Sequence, residues 1–418
     1  MGKSKHVIIG AGPAALAAAH AIRSIKRYDE IKLISKEKCL PYSPASLPYL
    51  FSGELNEDGL FAKGDQLLNS LDVTLVRGRE IVGLLPESKV VAYKNGDREG
   101  YDKLLIATGA HPWVPEWLDG QEICKFRTFD DYQLLKKKQN IAIYGAGLVA
   151  VEIAEKLALA GHNVTIIARS SLLRRYFSKK SVAFIKNGFE KKGVCIFSNS
   201  PLKAIQKSKG MLHLSLDGGQ NVAADVLIVA TGVTPNLIHA DNLETTADGL
   251  VAGKYLNTTL PDVYVAGDAA AAPEFFTGAH GVNPILTEAM EQGKVAGNNM
   301  AGQTTEYRGW ISSNFLRCLD HHLFTAGIND PQDNLQTEVL EKAEGNRFLR
   351  LTLKEGCLIG VEALNIPSLT PGVFRYLILN RVPVGSFKES LINNPVETAN
   401  WLMLNNRKEK TFKLFTRK

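Results

Sequence analysis

The 418-residue chain is poor in cysteine, and none of its five cysteines is spaced to work with another. Cys39, Cys124, Cys195, Cys318 and Cys357 are scattered, odd in number and free of any C-x-x-C spacing. That excludes a disulfide framework and a thiol-based metal cluster. No apolar run approaches about 18 residues, so no membrane-spanning helix is expected. Ahead of the C-terminal tail no basic cluster interleaves with aromatics, which argues against a nucleic-acid surface despite the net charge of +6. Met1-Gly-Lys-Ser-Lys5 runs straight into an apolar strand, leaving no room for the apolar core of a secretory signal. Reduced thiols and a cytoplasmic location are the expectation. What remains is 45% hydrophobic and 22% charged, ordinary globular material long enough for two or three domains.

Within it, one device occurs twice. Ile141-Ala-Ile-Tyr144 reads as a buried parallel strand, Gly145 and Gly147 as a tight turn, and Val151 to Ala160 as a helix. Backbone at such a turn can approach a diphosphate, and Ala150 is small enough for close helix–strand packing. Val164 to Ile167 returns as the next strand. His6-Val-Ile-Ile9, Gly10, Gly12 and Ala15 repeat the pattern, followed by an alanine-rich helix over 14–25 and a strand over 31–34. Two strand–turn–helix–strand units imply two dinucleotides.

Further along, residues 39–53 hold several prolines and aromatics and read as an ordered loop or interrupted helix. Residues 71–99 read as short strands with a hairpin at Asn95-Gly96. Two apolar strands end alike, in Ala107-Thr108-Gly109 and Ala230-Thr231-Gly232, so whole domains repeat. Val263 to Asp268 is another such strand. Asp268 is placed to bind a polyol hydroxyl or to cap a helix starting near Ala269. A helix over 287–301 is closed by Gly302. From about 305 the pattern becomes a separate α+β domain, with strands near 347–353 and 358–363, two short helical stretches and a basic tail from Arg407 that reads as a frayed end.

The ordered motifs Gly10-x-Gly12-x-x-Ala15, Thr108-Gly109, Gly145-x-Gly147-x-x-Ala150-x-Glu152, Thr231-Gly232 and Gly267-Asp268 resemble those of the FAD-dependent pyridine nucleotide-disulfide oxidoreductases. The resemblance implies an α/β fold with two Rossmann-like, glutathione-reductase-like dinucleotide domains and a C-terminal α+β domain. Residues 1–111 and 233–304 would form a discontinuous FAD domain, 112–232 an NAD(P) domain and 305–418 an interface domain. FAD would then be held by Gly10, Gly12, Ala15, Glu37, Thr108, Gly109, Gly267 and Asp268. NAD would be held by Gly145, Gly147, Ala150, Glu152, Arg169 and Gly232. Glu37 enters as the acid nearest the end of the second strand, where a ribose hydroxyl is expected.

Leu47-Pro-Tyr-Leu resembles the segment that follows a reactive cysteine in thiol-dependent branches of the family, but that cysteine's position is Ala45. Cys39 lies six residues earlier, and Tyr49 stands where the ferredoxin and rubredoxin reductases often have a lysine. Without a thiol relay, an external one-electron centre is the expected acceptor or donor, and no side chain is assigned as acid or base. The run from Glu30 to Leu50 resembles the flavin subunits of phenylglyoxylate dehydrogenase-type complexes, anaerobic 2-oxoacid oxidoreductases. This implies iron–sulfur and thiamine-diphosphate subunits as partners. A stand-alone NADH oxidase or disulfide reductase using Cys39, a ferredoxin or rubredoxin reductase, and a redox-sensing interaction protein are the rival readings. The nicotinamide coenzyme is left contested. The resemblance implies NAD, yet the acid that binds a ribose 2′-hydroxyl is replaced by Ala168, with Arg169, Arg174 and Arg175 following. NAD is the expectation.

Overall fold

The computed structural model describes residues 2–328 and 336–415. Contacts divide the chain into two compact units, residues 1–139 with 226–310 and residues 140–225 with 311–418.

The first unit is built on a five-stranded sheet in the order Val263–Val265, Lys103–Ile106, Lys5–Ile9, Glu30–Ile34, Thr74–Val76, with every neighbouring pair parallel. Parallel strands covered on both faces need continuous apolar runs, and Val7, Ile8, Leu104, Leu105 and Ile106 are fully buried. The chain leaves the Lys5–Ile9 strand through Gly10 into the Pro13–Ile25 helix, whose Ala14, Ala15, Ala18 and Ala19 are buried. The Leu286–Met300 helix packs on it backbone to backbone. A Cβ on Gly293 or Gly297 would lie 2.1 or 2.5 Å from the Ala14 or Ala18 carbonyl oxygen. Such an approach is available only to small residues on both sides.

Residues 39–53 contain a 3-10 helix, Pro44–Leu50, which Pro48 keeps from becoming a regular α-helix. Phe51 packs against Phe126 and Tyr132 there. The hairpin at Asn95-Gly96 joins Val90–Tyr93 to Arg98–Gly100, with Gly96 at φ +92°. One expectation fails. No helix begins near Ala269, because Gly267–Ala269 form one 3-10 turn and the chain continues as the Ala270–Pro273 strand. Gly267 at φ +77° sets that turn, and Asp268 is left without a helix to cap.

In the second unit, Asn140–Tyr144, Asn163–Ile167 and Cys195–Phe197 run parallel, connected by the Leu148–Leu159 and Lys179–Lys191 helices. A three-stranded antiparallel sheet over Leu202–Ala224 follows. Residues 311–415 add an antiparallel sheet in the order Ser313–Cys318, His321–Gly327, Cys357–Leu364, Arg347–Lys354, Glu338–Glu344. The Glu362 carboxylate is fully buried and joins the two parts of this unit. It accepts from the Ser178 N–H at 2.9 Å, the Ser178 hydroxyl at 2.7 Å and the Ser181 hydroxyl at 2.6 Å, with Arg350 3.5 Å away. A buried carboxylate persists only with such donors, and removing them costs about 3–5 kcal/mol.

The basic tail is a second correction. From Arg407 the chain is not frayed but continues the Pro395–Phe415 helix. Arg407 lies 5.0 Å over the Tyr376 ring, and the Tyr376 hydroxyl donates to Asn406 at 3.0 Å, which fasten that helix to Pro371–Leu379. Residues 416–418 lie outside the described residues. No described helix is long and apolar enough to cross a membrane.

Candidate functional site

A cavity of about 520 Å³ opens at the carboxyl ends of the first unit's parallel strands. Its walls include Gly10 to Ala14, Ile34 to Glu37, Ala107 to Gly109 and Ala266 to Asp268. In open α/β sheets ligands bind at this edge, and the volume falls in the range of small-molecule sites.

The glycines at its floor serve different ends. Gly10 has φ +113°, and a Cβ there would lie 2.1 Å from the Ala107 carbonyl oxygen, so the fold itself demands glycine. Gly12 has φ −80°, and nothing lies within 4 Å of where a Cβ on it would sit, so the fold leaves that space to a ligand. Gly12 is also the N-cap of the Pro13–Ile25 helix, yet no side chain caps that helix and no acid stands in its first turn. Its N-terminal N–H groups and positive dipole end are therefore left to an anion. The helices at Asn56, Thr128 and Ser178 each have a side-chain cap, whereas Leu286–Met300 and Pro371–Leu379 go without one as this helix does. Ala15 is fully buried beneath the turn.

The side chains around the cavity form two polar groups. Glu37 accepts from the Tyr42 hydroxyl at 2.7 Å and from the Cys39 thiol at 3.7 Å, while the same hydroxyl accepts from the Phe129 N–H at 3.1 Å. Burial and the neighbouring Glu37 charge push the Cys39 thiol up to about 11. At neutral pH it is a thiol, with little nucleophilic character. Opposite, Arg127 Nη2 lies 4.0 Å from the Asp268 carboxylate and its Nε donates to the Ala110 carbonyl at 3.0 Å. Burial raises the Asp268 pKa and the guanidinium opposes that rise. The Thr108 hydroxyl donates to the Asn236 carbonyl at 2.6 Å, the Asn236 amide donates back to the Thr108 carbonyl at 2.9 Å, and Gly109 sits at φ +68°.

In the second unit the turn is rebuilt. Gly147, at φ −87°, is the N-cap of Leu148–Leu159, again with no side-chain cap and no acid in the first turn. Nothing lies within 4 Å of where a Gly147 Cβ would sit. Ala150 is fully buried. Glu152 is half-buried one turn into that helix, and its charge is felt at Cys318, whose thiol burial pushes up. Arg169 is exposed at the end of the Asn163–Ile167 strand and acts on the buried Tyr144 hydroxyl, lowering a pKa that burial raises. Gly232 belongs to the first unit at φ +137°, and its carbonyl accepts from the Trp113 N–H at 2.9 Å.

Thus Gly10, Gly12, Glu37, Thr108, Gly109, Gly267 and Asp268 line one cavity, with Ala15 packed beneath. Gly145, Gly147, Ala150, Glu152 and Arg169 gather in the second unit. Sequence reasoning missed Arg127 and Asn236. The signal for the first was the Thr128-x-x-Asp131 capping box, which fixes the residue before it through the Asp131 carboxylate. Among the described residues, no group of three or more His, Cys, Asp or Glu could hold a metal ion.

Residues 4–296 match the pyridine nucleotide-disulphide oxidoreductase family. The chain is 30% identical over 412 residues to the NADH-dependent phenylglyoxylate dehydrogenase subunit epsilon of Aromatoleum evansii, covering 96% of this chain and 97% of that protein. Its fold matches the covalent putidaredoxin reductase–putidaredoxin complex with a TM-score of 0.83 at 19% identity, over 95% of this chain and 100% of that one. It also matches a water-forming NADPH oxidase, engineered by five substitutions in an NADH oxidase from Lactobacillus brevis and bound to NADPH. There the TM-score is 0.81 at 23% identity, over 90% of this chain and 91% of that one.

Proposed function

The chain belongs to the pyridine nucleotide-disulphide oxidoreductase family and is an NAD(H)-dependent flavoprotein oxidoreductase, and we propose that it exchanges electrons with an external one-electron iron–sulfur carrier. FAD, the family's cofactor, supplies the conversion between hydride and single-electron transfer when bound. The residues fit it. Gly10, Gly12 and Ala15 give the diphosphate a close backbone and an uncapped helix end, Glu37 offers a carboxylate to a ribose, and Thr108, Gly109, Gly267, Asp268 and Arg127 complete the wall. Gly145, Gly147, Ala150, Glu152, Arg169 and Gly232 are assigned to the nicotinamide dinucleotide. In domain terms, 1–111 with 233–304 is assigned to FAD, with Arg127 added from the segment 112–232 that is otherwise assigned to NAD, and 305–418 is the interface domain.

The observation that carries the one-electron reading is the state of Cys39, the one cysteine among the described residues of the cavity wall. Cys39 is a protonated thiol hydrogen-bonded to a carboxylate, and the family's thiol position is Ala45. A stand-alone oxidase or disulfide reductase working through Cys39 needs the thiolate that Glu37 disfavours. More finely, the reading is that of the NAD-reducing subunit of a phenylglyoxylate dehydrogenase-type complex, with iron–sulfur and thiamine-diphosphate subunits as partners. Its support is the likeness, over nearly the full length of both chains, to a protein of that name. Affinity purification of the tagged chain from its native cells tests this. Recovery of iron–sulfur and thiamine-diphosphate subunits is the expected outcome, and recovery of the chain alone under anaerobic conditions contradicts it.

A further inference from the structure

The second dinucleotide site differs from an NAD-selective one where adenosine ribose would lie. NAD-selective units end the second strand of the turn with an acid that binds the ribose 2′-hydroxyl and repels a 2′-phosphate. Here the strand Asn163–Ile167 ends at Ala168, which is fully buried, followed by Arg169, which is exposed. Residues 156–189 hold seven Lys or Arg and no Asp or Glu, so no carboxylate in this whole stretch can replace the missing one.

The loop beyond the strand is held against the glycine turn. Leu173, at φ +51°, donates its N–H to the Ala146 carbonyl at 2.7 Å, between Gly145 and Gly147. Leu172, Leu173 and Phe177 are buried, while Arg174 and Arg175 between them are exposed. Buried apolar anchors thus fix two cations on the segment tied to the turn, with Arg169 at the adjoining strand end. No hydrogen bond or ion pair engages Arg169 or Arg175 among the described residues. The engineered NADPH oxidase offers a parallel in spacing. Its introduced residues are an alanine, then eighteen positions on alanine, arginine and serine in succession, then five positions further an arginine. This chain has Ala150, then Ala168, Arg169 and Ser170, then Arg175, at the same spacing.

We propose that this site takes the 2′-phosphorylated coenzyme NADP(H) at least as well as NAD(H), with Arg169 and Arg175 binding the 2′-phosphate and the Ser170 hydroxyl donating to it. The proposal rests on the assignment of the Gly145–Ala150 turn to the nicotinamide dinucleotide. It departs from the NADH dependence named for the Aromatoleum relative. Guanidinium groups suit a phosphate because their planar fork donates two hydrogen bonds at once.

The test is calorimetric titration of the FAD-loaded full-length protein with 2′,5′-ADP and, separately, 5′-AMP. These probes share adenosine and the 5′-phosphate and differ in the 2′-phosphate. The expected result is 2′,5′-ADP binding tighter by about 10- to 100-fold, falling steeply with salt. Arg169→Ala combined with Arg175→Ala should collapse that ratio, and the exposed Arg175→Ala alone should lower it without threatening the fold. Steady-state kcat/KM for NADPH over NADH should fall in step. Equal affinity for the two probes, or a ratio the double variant does not move, overturns the proposal and leaves the nicotinamide assignment standing. Failure of both probes to bind overturns that assignment, and the proposal with it.

Discussion

At Gly10–Ala15 and again at Gly145–Ala150, a buried strand turns through two glycines into a helix with neither a side-chain cap nor an acid in its first turn. The two sites part company one strand later. Glu30–Ile34 leads to Ser35 and Glu37, a carboxylate already hydrogen-bonded to Tyr42, whereas Asn163–Ile167 leads to Ala168 and Arg169. The difference separates two kinds of information. Glycine spacing and an uncapped helix end call for an anion close to backbone, and they do so identically twice. Which adenosine is accepted depends on the charge at the end of the next strand.

The largest effect should come from Gly10→Ala, which sharpens the contrast between a glycine the fold needs and one a ligand needs. Its Cβ meets the Ala107 carbonyl oxygen at 2.1 Å with φ at +113°. Denaturant unfolding of the apoprotein should show a loss on the order of 3 kcal/mol. An apoprotein as stable as the parent would undo this reading of the turn.

Gly12→Val and Gly147→Val should leave the apoprotein folded, since each site is open space. Gly12→Val should lose FAD by at least about 100-fold in affinity, read by equilibrium dialysis. Gly147→Val should keep its FAD while NADH-driven flavin reduction slows by about 100-fold in stopped flow. A yellow, fully loaded Gly12→Val protein, or a Gly147→Val protein that loses FAD instead, would break the pairing of each turn with its own dinucleotide.

Arg127→Leu should weaken FAD by about 10- to 100-fold, the worth of one charged contact, while Asp268 loses the group that opposes its raised pKa. Unchanged FAD affinity in the same dialysis assay would remove Arg127 from the site.

The smallest effect is expected at Cys39→Ser, whose electron transfer to a one-electron acceptor should stay within about twofold of the parent. With the thiol pushed up to about 11, its thiolate fraction at pH 8 is about 0.1% and grows as pH rises toward that value. Iodoacetamide labelling of Cys39 should therefore be slow at pH 8 and quicken tenfold per pH unit above it. Fast labelling at pH 7 would restore the thiol reading.

Much of this was legible in the chain because local chemistry specified it. The strands at Lys5–Ile9 and Asn140–Tyr144 announce themselves as apolar runs closed by glycines, and the small Ala14 and Ala18 foretell a close neighbour, here Gly293 and Gly297. What was hidden depended on partners distant in sequence. Arg127 reaches Asp268 across some 140 positions and Asn236 reaches back to Thr108, so the capping box that fixes the Arg127 backbone does not show what its side chain meets, and Asn236 has no local signature. The helix through Arg407 was hidden for the same reason, since the Tyr376 ring lies 31 residues before that arginine. Asp268 stayed open between two readings because a glycine–acid pair after a strand serves equally to cap a helix or to edge a cavity, and the 3-10 turn that runs on into the Ala270–Pro273 strand removes the cap.

The claim that this flavoprotein exchanges single electrons with an outside carrier is tested most directly by anaerobic stopped flow on the FAD-loaded protein, run in the direction from NADH. The account predicts rapid loss of flavin absorbance on mixing with NADH, then reoxidation by two equivalents of an oxidised ferredoxin, at the same rates in Cys39→Ser. Reoxidation by disulfide substrates alone, abolished in Cys39→Ser, would contradict it.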